Sequence, residues 1–203
     1  NAHPHRAGSV VLVHNGIIEN YRELRAALEK RGATIQSDTD TELIAHLIDE
    51  FVQAGRDLLS AVRAACRELT GSYAIAVLCD KEPNLLVTAK QGGSPIIIGH
   101  GDKQAFLASD IPAVLPYTRE IISLKDGDFA VLAEDLVQVV DIEGRILDRE
   151  FQTVQWDPVS AEKGGFDHFM QKEIFEQPRA VTDTIGTRIN ESEMNVDLAG
   201  IEF

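Results

Sequence analysis

Helices layered on antiparallel sheets, an α+β domain in αββα order, are what this 203-residue chain predicts. A single short β-branched run near the start is followed by three helical patterns rather than by a second strand. From Gly71 onward the apolar runs shorten to strand length, and turn residues recur between them at regular intervals. That order excludes a regular strand–helix alternation and hence a doubly wound parallel sheet.

The first run is Ser9 to Val13, followed by His14-Asn15-Gly16, which reads as a buried strand entering a tight turn because Asn and Gly tolerate positive φ. A helix from about Asn20 to Lys30 follows, with Tyr21, Leu24, Ala27 and Leu28 at helical spacing and Asn20 placed to cap it. Arg31-Gly32 ends it, and Thr34 to Ser37 could form a short strand. A second helix starts near Thr39 or Asp40, with Leu43, Ile44, Leu47, Ile48, Phe51 and Val52 on one face, until Gly55 breaks it. The third carries Leu58, Leu59, Val62, Ala65, Cys66 and Leu69 and should pack beside the second. Strands are predicted at 72–79, 85–89, 95–99, 104–108, 121–124, 129–132 and 137–142, with turns at Asp126-Gly127 and Glu143-Gly144 and one helical turn at 111–115. A connector over 152–165 leads to a helix from about Phe169 through Thr187, which Pro178 must kink or restart.

Thirty-three acidic against nineteen basic residues give a formal charge of −14, which repels phosphate backbones and anionic lipid; neither nucleic acid nor membrane is an expected partner. Cys66 and Cys79 fall where core residues belong, so two buried reduced thiols are expected rather than a disulfide framework. The chain has no apolar run near the roughly 20 residues that span a bilayer and no signal-peptide pattern at its start, so a cytoplasmic location is expected.

Few segments carry chemistry. His3 and His5 flank a proline and could share one side of an extended segment, but no Cys or acidic partner stands nearby, and no metal site is expected. His14 reads as a structural histidine rather than a base. There is no GxSxG elbow and no phosphate-binding loop; Gly92-Gly93-Ser94-Pro95 reads as a turn. Asn15-Gly16 after a buried strand can offer a side-chain amide and a backbone N–H in one direction, the equipment that stabilises an oxyanion during acyl transfer, or it can simply be a turn before a helix cap. Asp38, Asp40 and Glu42 at a helix start are favoured by the helix dipole; Asp40 could equally hold an ammonium group.

Taken together, His14-Asn15-Gly16-Ile17-Ile18-Glu19-Asn20 and, some twenty residues on, Ser37-Asp38-Thr39-Asp40-Thr41-Glu42 resemble the glutaminase domain of the N-terminal-nucleophile amidotransferases. The stretch His168-Phe169-Met170-Gln171-Lys172-Glu173-Ile174 with Glu176-Gln177-Pro178 is similar to the junction in the branch that aminates fructose 6-phosphate. The resemblance runs from Asn1 to about Ile189. It implies an N-terminal Cys that attacks the glutamine side-chain amide with its own α-amino group as base. It also implies Asn15 and Gly16 as the oxyanion-hole pair, Asp40 as the carboxylate on the glutamine α-ammonium group, and ammonia passed on to give glucosamine 6-phosphate.

On this reading residues 1–150 form the glutaminase domain without its N-terminal portion, and 151–203 the linker and first helical part of a sugar-isomerase half. The resemblance further implies no cofactor, L-glutamine and fructose 6-phosphate as substrates, and a homodimer for the full-length protein. The chain opens at Asn1 without an initiator Met and stops at Phe203 without an obvious terminal element, so both ends are read as cuts within a longer protein; the nucleophile and the segment binding the glutamine carboxylate match nothing in this chain. The isolated chain is expected to be inactive. Another N-terminal-nucleophile amidotransferase, or a non-catalytic module of the same fold, are the alternatives.

Overall fold

The computed structural model describes residues 2–155, 164–186, 189–190 and 195–196. Two units divide the chain, 1–155 and 156–203.

The first unit contains β1 (His5–Ala7), β2 (Val10–Ile18), α1 (Tyr21–Lys30), α2 (Asp40–Gln53) and α3 (Leu58–Cys66). There follow β3 (Gly71–Cys79), β4 (Leu86–Gln91), β5 (Ile97–Gly101), β6 (Gln104–Ala108), a short 3-10 turn at Ile111–Ala113, β7 (Glu120–Ser123), β8 (Phe129–Ala133), β9 (Leu136–Val140) and β10 (Gln152–Thr153). Six strands form one sheet in the order β1-β2-β3-β4-β8-β9, and four form a second in the order β10-β7-β5-β6. Every pairing is antiparallel. This is the antiparallel α+β arrangement with flanking helices expected from the sequence.

Alternation along the strands builds two cores. On β3 and β8, Ile75, Val77, Phe129 and Val131 turn toward the helices, whereas Ala74, Ala130 and Leu132 turn toward Ile96, Ile98, Ile122 and Leu124 at the second sheet. The helices supply Leu24 and Leu28 from α1, Leu43, Ile44, Leu47 and Ile48 from α2, and Leu58, Ala61, Val62 and Ala65 from α3. All of these but Ala61 are positions the helical period marks out, whereas Tyr21, on the expected face of α1, is exposed; α2 and α3 pack together as expected. Asp57 caps α3, its carboxylate accepting from Ser60 N–H at 2.9 Å. Cys66 and Cys79 are buried and free.

Four local expectations need correction. Asn15-Gly16 is not a tight turn: β2 runs unbroken through it to Ile18, paired residue for residue with β3 from Val10↔Cys79 to Ile18↔Gly71. The nine-residue ladder outweighs the local Asn-Gly preference, and Gly16 is the residue that lets the two chains approach. Its φ is +138°, and a Cβ there would lie 2.1 Å from the Ser72 carbonyl oxygen. Asn20 makes no cap bond to α1; its amide instead donates to Glu68 O and accepts from Thr70 N–H at 2.8 and 2.9 Å. Thr34–Ser37 is no strand but an irregular loop tied down by the Glu42 carboxylate, which accepts from Gln36 and Ser37 N–H at 2.7 and 2.6 Å. The third helix ends at Cys66, short of Leu69, and the residues before Val10 add β1, which the polar His-Arg pattern did not announce.

In the second unit α4 (Phe169–Gly186) runs through Pro178 without restarting, and β11 (Ile189–Asn190) pairs with β12 (Asn195–Val196). The Phe166 and Phe175 rings stack at 5.5 Å. Thr187, the expected end of the helix, lies outside the described residues, as does 156–163 of the connector.

Candidate active site

β2 positions the site. Glu19 N–H donates to Thr70 O and Asp80 N–H donates to Ser9 O, so the odd-numbered residues of this strand bond toward β3. The backbone N–H groups of His14, Gly16 and Ile18 therefore point to the opposite edge, which β1 covers only from Val10 to Leu12. Side chains alternate as well. Leu12, His14 and Ile18 are buried, while Val13, Asn15 and Ile17 are exposed.

α2 brings a carboxylate to that open edge. Asp40, in the first turn of the helix where negative charge is favoured, accepts from Ile18 N–H through Oδ2 at 2.8 Å. Gly16 N–H lies two residues back along the same edge, about 7 Å from Ile18 N–H by strand geometry. Asn15, beside it, faces a cleft of about 300 Å³ together with Val13, Ala74, Ala76, Pro95 and Ile96. Of the three residues singled out by sequence, Gly16 and Asp40 thus meet along the open edge of β2, while Asn15, next along the strand, faces the cleft.

Behind Asp40 stands a buried polar layer. His14 is 5 % exposed; its Nδ1 shares a hydrogen bond with Thr41 Oγ1 at 3.1 Å and lies 3.9 Å from Asp40 Oδ1. Burial pushes the imidazole below the usual histidine range, against the opposing pull of the Asp40 carboxylate and the Ser72 carbonyl. Burial, with the charge of His3, does the same to His5, which meets Thr39 Oγ1 at 3.3 Å from Nε2. Burial would raise Glu42, but the N–H groups of Gln36 and Ser37, with His46 at 3.6 Å, hold its carboxyl below the usual range. The loop leading into α2 is therefore pinned at both Ser37 and Thr39.

Sequence reading gave no part in the site to three contributors that stand within its motifs: Ile18 N–H, Thr41 and Glu42. The Thr39-x-x-Glu42 spacing of a capping box was a legible signal for the last, although Glu42 reaches Gln36 and Ser37 rather than Thr39. Ile18 and Thr41 carried no signal, because their parts depend on where β2 and α2 meet. Neither cysteine joins the site, and burial pushes the Cys66 thiol up to about 12. Among the described residues no His, Cys, Asp or Glu cluster could hold a metal ion, and no helix is long and apolar enough to cross a membrane.

The fold is that of the N-terminal-nucleophile class of glutamine amidotransferases. The Bacillus subtilis glutamine phosphoribosylpyrophosphate amidotransferase superposes with a TM-score of 0.59 over 70 % of this chain and 32 % of its own, at 24 % identity. A structure described as the allosteric regulatory enzyme of purine biosynthesis gives 0.58 over 68 % of this chain and 30 % of its own, at 25 % identity. Residues 2–116 match the glutamine amidotransferase domain, and the chain belongs to that family. It is similar to the isomerizing glutamine–fructose-6-phosphate aminotransferases of Aquifex aeolicus, at 52 % identity over 91 % of the chain, and Thermus thermophilus, at 47 % over 98 %. The enzyme of Zymomonas mobilis is 45 % identical over 100 % of it. The chain spans about a third of the length of these relatives: 31 %, 32 % and 33 % respectively.

Proposed function

We propose that this chain is the glutamine-handling part of an enzyme that moves ammonia from L-glutamine to fructose 6-phosphate, giving glutamate and glucosamine 6-phosphate. The observation that carries the reading is the shared strand edge: the Gly16 N–H and the Asp40 carboxylate, which α2 sets on Ile18 N–H, lie about two residues apart along β2. Glutamine has a cationic end and an amide end separated by a few bonds. Asp40 takes the α-ammonium group. Asn15 through its side chain and Gly16 through its backbone N–H take the carbonyl oxygen as it becomes negative in the tetrahedral intermediate, where one such donor is worth about 3 kcal/mol.

Residues 1–150 are then the glutaminase domain, and 151–203 the linker and start of the sugar-isomerase half. The site needs no cofactor or metal; cytoplasmic and homodimeric are the expected states of the whole enzyme. The attacking thiol is not one of the two cysteines present, both of which are buried. Purified alone, the chain turns over no glutamine.

The test is the complete gene product supplied with glutamine and fructose 6-phosphate. Formation of glucosamine 6-phosphate is expected, and Asn15→Ala should lower glutaminase kcat by about a hundredfold or more with a much smaller change in KM. An unchanged kcat in that variant would remove Asn15 from the mechanism.

A further inference from the structure

His14 is an expensive residue to keep where it is. Its side chain is 1 % exposed, Nε2 is buried, and the Ser72 carbonyl faces the ring from β3. Burying a polar ring costs stability, so its contacts bear on why it stands there. Nδ1 faces the first turn of α2, bonded to Thr41 Oγ1 at 3.1 Å and only 3.9 Å from Asp40 Oδ1. The other Asp40 oxygen, Oδ2, is held by Ile18 N–H.

We propose that His14 is a positioning residue for the Asp40 carboxylate. Uncharged, the ring holds Thr41, and through it the first turn of α2, and leaves Asp40 on Ile18 N–H at the strand edge. Charged, its Nδ1–H would draw Oδ1 into a charge-assisted bond and turn the carboxylate inward, away from Ile18. The charged groups facing the ring are Asp40 from α2 and His3 from the segment before β1; the Ser72 carbonyl faces it from β3. Only Asp40 among them is an anion, so the carboxylate is what a second proton on the ring would move.

The consequence for the proposed function is that α-ammonium binding requires neutral His14. This step rests on the glutamine reading, whereas the geometric claim does not, and one set of experiments separates them. In the 203-residue chain, the Ile18 amide proton is followed by NMR as pH is lowered, alongside the His14 ring protons. The proposal expects the Ile18 amide to move upfield at the His14 midpoint in wild type, and that step to vanish in His14→Gln. His14→Asn serves as the second variant should the first not fold. An Ile18 amide that ignores the His14 midpoint, or a step that survives in either variant, overturns the proposal.

L-Glutamine titrations of the complete gene product at pH values on either side of that midpoint form the second arm. Wild type should lose about tenfold in affinity on the acid side, and His14→Gln should not. Binding that is absent at every pH counts against the glutamine reading alone, and the Ile18 titration still decides the role of His14.

Discussion

Asp40 Oδ2 accepts a hydrogen bond from Ile18 N–H at 2.8 Å, tying the start of α2 to the open edge of β2. This one bond sets where a carboxylate stands relative to the Gly16 N–H, two residues earlier on the same edge. Asp40→Asn keeps the shape, but removes the charge and weakens the bond from Ile18. It should reduce L-glutamine affinity by about ten- to a hundredfold while changing Tm little, as calorimetry and thermal unfolding can measure.

Gly16→Ala should be costly for a different reason. The added Cβ would fall 2.1 Å from Ser72 O and 2.9 Å from Tyr73 Cα, both backbone atoms that cannot swing away, at a φ of +138°. A loss of about 3 kcal/mol is expected, read as a lower denaturation midpoint with the m-value unchanged.

Acid should destabilise the fold in two stages. The His14 and His5 values lie below the ordinary 6.5, so the folded state favours their neutral forms; their contribution is complete above about pH 6.5 and falls as pH drops from there through the lowered values. Glu42 lies below the ordinary 4.5, so its contribution is present above that value and is lost as pH falls through the lowered one. Urea midpoints measured from pH 8 to pH 3 should show both declines. In His14→Gln the upper one should shrink, and Glu42→Gln should lose about 1–3 kcal/mol at neutral pH because Gln36 and Ser37 N–H lose a charged acceptor.

Far from the site, the buried Asp128 carboxylate, 1 % exposed, is met by both Nε and Nη2 of Arg149 at 3.1 and 2.6 Å and accepts from Lys125 N–H. Arg149→Met should leave that charge without its cation and cost about 3 kcal/mol. Hydrogen exchange should then speed up at Leu147 N–H, which donates to Val139 O and holds this segment to β9.

The helices and most strands were legible because their apolar periods are enforced by burial: Leu43, Ile44, Leu47 and Ile48 can all reach the core only in a helix. Two of the misreadings share one cause, which is that a local preference was met by a distant partner. Asn15-Gly16 favours a turn until β3 lies along it, and Asn20 is a good cap until Glu68 and Thr70, some fifty residues away, claim its amide. The candidate site was read from residue types at Asn15, Gly16 and Asp40, and what brings Gly16 and Asp40 to one strand edge, with Ile18 as the link, is the packing of α2 on β2.

The burial of both cysteines bears directly on the assignment of the nucleophile. Cys66 is buried with its thiol pushed up to about 12, and Cys79 is buried at the end of β3. A thiol reagent should label neither rapidly in the native chain and both after denaturation. Fast native labelling of one would reopen the chain's own cysteines as candidates.

The most direct measurement is an amide-resolved NMR titration of the complete gene product with L-glutamine. The expected result is that the Gly16 and Ile18 backbone amides and the Asn15 side-chain amide shift together, saturably, and that Asp40→Asn suppresses all three. Shifts clustered on another face, or a response indifferent to Asp40, would contradict the assignment of this strand edge to glutamine.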